Sequence, residues 1–286
     1  MDYTGTWNDL ATEHWTPNFM YNEEVTYDNV AGKWTYAPVK YWPNNRENTI
    51  TFWAYSPYYG NESILKLYKT NSTDAYGNNV PGVPEIEFTT DGSRDLLVSE
   101  LAQDLSCRGG NPANGTVTME FHHTMAWVDF RVKKVDDSDS YDIVLKSITL
   151  ENIFESAAYS LSGWGAGWSR VNFSAYNCGA GAGTALDKDE VGRITFPTGG
   201  DKLLLIPQGL RNTTANLEIV YTFHVKGSGD APVEYEENVL LGSLTSLWEE
   251  GKHYTYNVNI SPGNPIMFTA VAAAWGSEQN GYFNVN

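Results

Sequence analysis

Lys252-His253-Tyr254-Thr255-Tyr256-Asn257-Val258-Asn259-Ile260 alternates without a break. Tyr254, Tyr256, Val258 and Ile260 fall on one face and Thr255, Asn257 and Asn259 on the other, the period of two that a half-buried β-strand requires. The pattern recurs upstream. Val117, Met119 and Phe121 alternate with Thr116, Thr118 and Glu120, and Ala126, Val128, Phe130 and Val132 alternate with Trp127, Asp129 and Arg131. Further strands read at Ile50 to Tyr55, Leu217 to Val225, Tyr235 to Leu241 and Ile266 to Ala272. Leu203-Leu204-Leu205-Ile206 is apolar on both faces and is stopped by Pro207, which marks a central strand.

Helical signals are few. Leu97, Leu101 and Leu105 stand four apart, with Ser93 or Asp95 able to cap, and predict a short helix over Asp95 to Leu105. Leu244 to Glu250, ended by Gly251, predicts another turn or two. Strands separated by turn clusters, without alternating helices, give an expected all-β class: antiparallel sheets packed as sandwiches, with a few short helices. The length of 286 residues fits two domains, and a composition 41% hydrophobic and 14% aromatic supplies cores and excludes general disorder. Arg108-Gly109-Gly110-Asn111-Pro112-Ala113-Asn114-Gly115 replaces periodicity with turn-formers, so the expected units are 1–112 and 113–286. The Gly-Ala run between Asn177 and Thr184 reads as a long loop inside the second unit.

Eighteen Lys and Arg against 35 Asp and Glu give a formal charge of −17. Such a surface repels phosphate backbones and anionic headgroups, so nucleic acid and membrane surfaces are not expected partners. No apolar run reaches the roughly 18 residues of a transmembrane helix, and no leader pattern opens the chain. Met1-Asp2-Tyr3-Thr4-Gly5 reads as a trimmed beginning, so the reading predicts a soluble chain and leaves export open. Cys107 and Cys178, in Gly-rich surroundings, imply no disulfide framework and are read as free thiols. Five Asn-x-Ser/Thr sequons, such as Asn61-Glu62-Ser63, matter only in a secretory pathway that glycosylates.

Catalytic motifs are missing. There is no G-x-S-x-G elbow, and His14, His122, His123, His224 and His253 lack metal-binding spacing. His122 and His123 are placed in a turn between two strands, with a packing or capping role. Gly163-Trp164-Gly165-Ala166-Gly167-Trp168 lacks the third glycine position of the dinucleotide fingerprint and reads as an exposed turn, its Trp164 and Trp168 forming a candidate glycan-stacking pair. Asp136-Asp137-Ser138-Asp139-Ser140-Tyr141-Asp142 gathers four carboxylates but has no glycine at the sixth loop position and Ile148 at the twelfth, so it is read as a solvated hairpin rather than a calcium loop. Tyr41, Trp42, Trp53, Tyr55, Tyr58 and Tyr59 are assigned mainly to packing. No cofactor is expected. On the residues alone, the reading stops at an acidic, two-domain β protein without a visible active site.

Seven short segments, in order, carry a resemblance. They are Tyr41-Trp42-Pro43, Phe52-Trp53-Ala54-Tyr55-Ser56-Pro57, Asp95-Leu96-Leu97 and the stretch from Val117 to Ala126. Leu204-Leu205-Ile206-Pro207-Gln208, Trp248 to Tyr256 and Trp275 complete the series. Together they resemble the Y-W-P, F-x-A-Y-S-P, D-L-L, V-x-L-x-F-x-H-x-L-A, L-L-I-P-Q and W-x-x-G-K-x-Y-x-Y segments and closing tryptophan of the fimbrillin family of Bacteroidales. The resemblance implies tandem transthyretin-like β-sandwiches, export as a lipoprotein, and a non-enzymatic role as subunit, tip or anchor of a pilus. It also implies assembly by strand exchange, in which removal of an N-terminal strand opens a groove that a neighbouring subunit's strand fills. His123 would then help fix a turn. Tyr282, Phe283 and Val285 are the apolar residues of the short tail and the candidate partner strand. The rival expectation is a glycan-binding surface protein that uses exposed aromatics with the acidic loop; a glycoside hydrolase is more distant.

Overall fold

The computed structural model describes residues 19–20, 22–43, 48–58, 65–73, 79–106, 116–135, 138–160, 163–164, 172–179, 184–185, 192–193, 203–261, 266–275 and 282–285. The first part of the chain forms β1 (Thr26–Asp28), β2 (Lys33–Thr35), β3 (Ile50–Phe52), β4 (Tyr55–Ser56), β5 (Leu65–Thr73), β6 (Asn79–Thr89), β7 (Leu97–Ser99) and β8 (Ala102–Leu105). The middle forms β9 (Val117–His123), β10 (Ala126–Lys134), β11 (Tyr141–Ser160), β12 (Gly163–Trp164), β13 (Asn172–Gly179), β14 (Thr184–Ala185) and β15 (Gly192–Arg193). The remainder forms β16 (Leu203–Leu205), β17 (Gln208–Gly209), β18 (Asn216–Val225), β19 (Val233–Leu240), β20 (Leu247–Trp248), β21 (Lys252–Ile260), β22 (Met267–Ala274) and β23 (Tyr282–Val285). The expected all-β class holds: the described residues contain no α-helix, only one 3-10 turn at Leu241–Ser243.

Two layered regions share the 20-residue strand β11. Through its first part, Tyr141 to Glu151, β11 pairs with β18, which pairs in turn with β19. This sheet faces a second in the order β15-β10-β21-β22, with β16 also on β10. The buried faces of β10, β11, β18 and β21 interlock as one apolar cluster that includes Phe130, Leu145, Ile148, Ile219, Trp248 and Tyr256. Here the period-two reading of Lys252 to Ile260 is realised, since Tyr254, Tyr256, Val258 and Ile260 are all buried. Two pairings differ from the antiparallel expectation, and one of them, between β2 and β23, is a single parallel bridge. β10 and β21 run parallel, from Trp127 opposite His253 to Lys134 opposite Ile260.

At its far end, from Ser156 to Tyr159, β11 pairs with β6 instead. Opposite lies the sheet β1-β2-β23-β9-β7-β4. A second cluster fills this region, with Ile86, Phe88, Leu96, Val98, Phe154 and Tyr159 at its centre and Trp53, Tyr55, Trp127 and Trp275 packed around it. Val117, Met119 and Phe121 of β9 make a third cluster with Trp42, Phe52 and Leu105. Trp42, Trp53 and Tyr55 are therefore packing, as read, while Tyr58 is exposed, Tyr41 is 83% exposed, and Tyr59 lies outside the described residues.

The switch within β11 has a local cause. Asn152 stands between the two pairings with φ of 55°, and its amide donates to the Thr214 carbonyl at 3.1 Å. Asparagine tolerates the left-handed region, which costs most L-residues roughly 1–2 kcal/mol. Asn152→Gly is expected to leave stability almost unchanged, whereas Asn152→Val should lose about 2 kcal/mol in urea unfolding.

Three local expectations are corrected. Asp95 to Leu105 is not a helix: Leu97–Ser99 pairs with β4 and β9, and Ala102–Leu105 with β3. Leucines four apart satisfy a helical stripe, but ladder bonds to neighbouring strands satisfy the same backbone groups and bury the chain as well. Leu244 to Glu250 is likewise not helical, because Leu247 and Trp248 pair with β17. The run from Asn177 begins in β13, which pairs with β11 as far as Gly179, rather than as a loop; Ala180 to Gly183 lie outside the described residues. The expected division at 108–115 lies outside the described residues. Beyond it, β9 is hydrogen-bonded to β7 and β23, and only Thr124 and Met125 separate it from β10 in the other sheet.

Candidate functional site

The ends of four strands meet where the two layered regions join. Gly251, with φ of 61°, opens β21; its N–H donates to the Met125 carbonyl at 3.0 Å, and its carbonyl accepts the Trp275 N–H at 2.9 Å. These bonds hold together the start of β10, the start of β21 and the end of β22. The side chains above them form a ladder. Asp95 pairs with His123 Nδ1, and the His123 ring stacks on Trp275 at 4.1 Å between centroids. Trp275 lies 5.9 Å from Trp127, Trp127 stacks on His253 at 3.8 Å, and His253 Nε2 stands 3.2 Å from Asp129 Oδ2. Offset ring contacts of this kind add to the apolar burial they accompany.

The sequence places these groups far apart, and pairing brings them together. His123 closes β9 and does not lie in the turn expected for it; the turn is Thr124-Met125. Thr124 fixes that turn by sending both its N–H and its hydroxyl to the Leu96 carbonyl, at 3.0 and 2.7 Å. Beside it, His122 Nδ1 stands 3.6 Å from Glu100, and the Tyr159 hydroxyl lies 3.5 Å from His122 Nε2. Burial, then the carboxylates of Glu250 and Glu100, push the Tyr159 hydroxyl well above its ordinary value. It stays a neutral hydrogen-bonding group at any physiological pH.

The ladder does not build a relay. Thr255 Oγ1 meets His253 Nε2 at 3.4 Å, the same nitrogen that faces Asp129, so no hydroxyl-to-carboxylate path runs through the ring. Among the described residues, no three His, Cys, Asp or Glu side chains converge to hold a metal ion. Among the described residues, no helix is long and apolar enough to cross a membrane.

Past Trp275 the chain reaches β23, and its position defines the second half of the site. Tyr282 to Val285 run antiparallel to β9, opposite Glu120 to Val117, and Val285 pairs with Trp34 of β2 in the parallel sense. The short tail thus occupies a slot between β2 and β9 that an extended segment fits by main-chain hydrogen bonds. Among the other predicted site residues, Trp164 lies in β12 opposite Tyr159, and Trp168 is outside the described residues. Asp136 and Asp137 are also outside them, while Asp142 pairs with Lys226 at 3.2 Å.

The comparisons agree with this architecture. Over 118 residues, 40% of the chain, it is 31% identical to fimbrium subunit Fim1C of Phocaeicola vulgatus, a stretch that is 30% of that relative's length. The crystal structure of a fimbrial protein from Bacteroides vulgatus superposes on 96% of the chain and 91% of its own, with a TM-score of 0.70 and 21% identity, so the fold is the same. Residues 4–275 match the model of the fimbrillin-like family, a span that runs from ahead of β1 to the ladder tryptophan and takes in every motif through which the resemblance was read; the chain belongs to that family.

Proposed function

We propose that the protein is a non-enzymatic subunit or adhesin of a surface fimbrium, assembled with other subunits by strand addition. The observation that carries the reading is the slot between β2 and β9, occupied by β23 of the same chain. A parallel neighbour on one side and an antiparallel neighbour on the other give a four-residue segment backbone bonds to both strands. An equivalent segment from another subunit would gain the same bonds, with alternate side chains setting the register. Trp275 anchors the point from which the tail leaves β22, so the ladder fixes where that segment starts. We place the division between the two units at Thr124-Met125, and assign attachment to the outer membrane to a lipid anchor. The acidic surface suits an exported protein that must stay soluble while a strand edge is open.

Cells producing the protein should yield it in sheared, sedimentable fibres, detected with antibody to the chain. Its recovery only in the soluble fraction, with fibres present but lacking it, would overturn the reading.

A further inference from the structure

In a chain with 35 Asp and Glu against 18 Lys and Arg, one sheet face is almost free of acids. Val128, Phe130 and Val132 of β10 are fully buried on the core side, so Trp127, Asp129, Arg131 and Lys133 point outward. Register extends this outer face across two more strands. Asn257 and Asn259 of β21 lie beside Arg131 and Lys133, and Thr269 and Met267 of β22 lie beside those. Towards the junction the face is covered: Trp127 packs into the second cluster, and Asp129, the one carboxylate that β10, β21 and β22 place on it, is buried against His253. Away from the junction it is open. Arg131 is exposed and Lys133 half-buried, neither forms an ion pair among the described residues, and Arg193 of β15 is the register partner of Arg131.

The outer face of the facing sheet has the opposite sign. Leu217, Ile219 and Tyr221 of β18 are buried on the core side, which turns Glu218 outward. Register sets Glu151 of β11 and Glu234 and Glu236 of β19 on the same outer face. Amides hold two of these carboxylates in place: Asn216 Nδ2 donates to Glu151 at 3.3 Å, and Asn238 Nδ2 donates to Glu236 at 3.1 Å. Glu234 and Glu236 are exposed, and none of the four carboxylates pairs with a Lys or Arg among the described residues.

The two faces match in spacing as well as in sign. Arg131 and Lys133 stand two residues apart on one strand, about 7 Å, and Glu234 and Glu236 repeat that interval on another. Both pairs sit at the end of the sandwich away from the junction. β10 ends one residue past Lys133, and Glu234 shares a row with Thr222 and Val144, near the start of β11.

We propose that the basic outer face of β10, β21 and β22 is an interaction surface, and that its partner is the acidic outer face of β11, β18 and β19 on a second copy of this chain. The two faces lie on opposite sides of one sandwich, so the contact is heterologous and does not close: copies join in an open row. The net charge of −17 does not forbid it, because charges beyond the screening length of about 8 Å at physiological ionic strength are damped while those in contact are not. Three strands about 4.8 Å apart present on the order of 400 Å² each, against roughly 800 Å² per partner in a standard stable interface. One contact is therefore weak, and many in a row add. The contact stands on the two faces alone; its use between neighbouring fibres rests on the fimbrial reading.

Sedimentation equilibrium of the full chain, in about 0.15 M salt and up to about 1 mM protein, tests it. The weight-average mass of the wild type should climb with concentration. Arg131→Glu with Lys133→Glu should weaken association at least about tenfold, and so should Glu234→Lys with Glu236→Lys, since like charges then face each other. Mixing the two variants in equal amounts should restore the climb, because each supplies the face that the other has lost. Net repulsion alone predicts otherwise: two Glu→Lys changes raise the charge by 4, from −17 to −13, and would strengthen self-association. Restoration requires both variants to be folded; should a reversal lower the melting temperature, Arg131→Gln with Lys133→Gln carries the test, weakening association at least about threefold. A wild type whose mass stays flat, a variant that associates as the wild type does, or a mixture that fails to recover would each overturn the proposal. So would binding of polygalacturonate, a polyanion, that Arg131→Glu with Lys133→Glu abolishes while self-association is unchanged. Recovery of the wild-type protein in fibres is measured without any of these variants, so this inference and the fimbrial reading fail separately.

Discussion

Trp248→Ala is expected to cost about 3–5 kcal/mol of unfolding free energy, the usual loss for an indole removed from a packed core. Trp248 is 1% exposed, and its ring N–H donates to the Tyr256 hydroxyl at 2.9 Å. Tyr256 is fully buried and stacks on Phe130 at 5.5 Å, so the indole holds a phenol that in turn holds a strand-to-strand contact. Truncation removes apolar area, leaves a cavity and strips the Tyr256 hydroxyl of its donor. Tyr256→Phe separates the lost hydrogen bond from the lost packing. It keeps the packing and leaves the Trp248 N–H unsatisfied, which should cost about 1–3 kcal/mol. Combined with Trp248→Phe, it should cost less than the two single losses added, because both polar atoms are then gone. Urea unfolding of the four proteins checks the set; a wild-type midpoint for Trp248→Ala would contradict the packing.

That core was legible in the sequence, and the reason is physical. A strand with one buried face writes its burial directly as alternation, so Lys252 to Ile260, Ala126 to Val132 and Leu217 to Val225 could be read residue by residue. Leu203-Leu204-Leu205 is likewise buried on every residue, as its two-faced apolar character indicated. Partnership is written nowhere locally. Asp95 and His123, or Asp129 and His253, meet only because β7 lies on β9 and β10 lies parallel to β21. The same gap produced the helix expected over Asp95 to Leu105, where a local stripe was visible and the neighbouring strands were not. Nor does alternation show that β11 serves two sandwiches: its buried positions change parity between Leu145 and Ile148, and past Asn152 the neighbours Ile153 and Phe154 are both buried, so no single period runs through the strand. The slot was foreshadowed only as a short apolar tail, Tyr282, Phe283 and Val285; which strands would receive it depends on pairing across most of the chain.

His253→Leu should cost about 3 kcal/mol, and the comparison with its partner shows why. The Asp129 side chain is 1% exposed, whereas that of His253 is 19% exposed. Replacing the histidine removes the ring nitrogen 3.2 Å from a carboxylate that has no route to water, and also removes the face on which Trp127 stacks. Breaking a buried pair from this side typically costs about 3–5 kcal/mol, and the partial exposure of His253 places it at the lower end. Asp129→Asn should be cheaper, at about 1–2 kcal/mol, because the imidazole left behind can reach solvent and the amide keeps the carboxylate's shape. The double variant His253→Leu with Asp129→Asn should then be more stable than His253→Leu alone, since a neutral amide is far less costly to bury than a carboxylate. Urea midpoints at neutral pH test the order. If Asp129→Asn proves the more damaging single change, the carboxylate is held chiefly by groups other than His253, and the ladder is a stack of rings rather than two carboxylate–imidazole pairs joined through tryptophan.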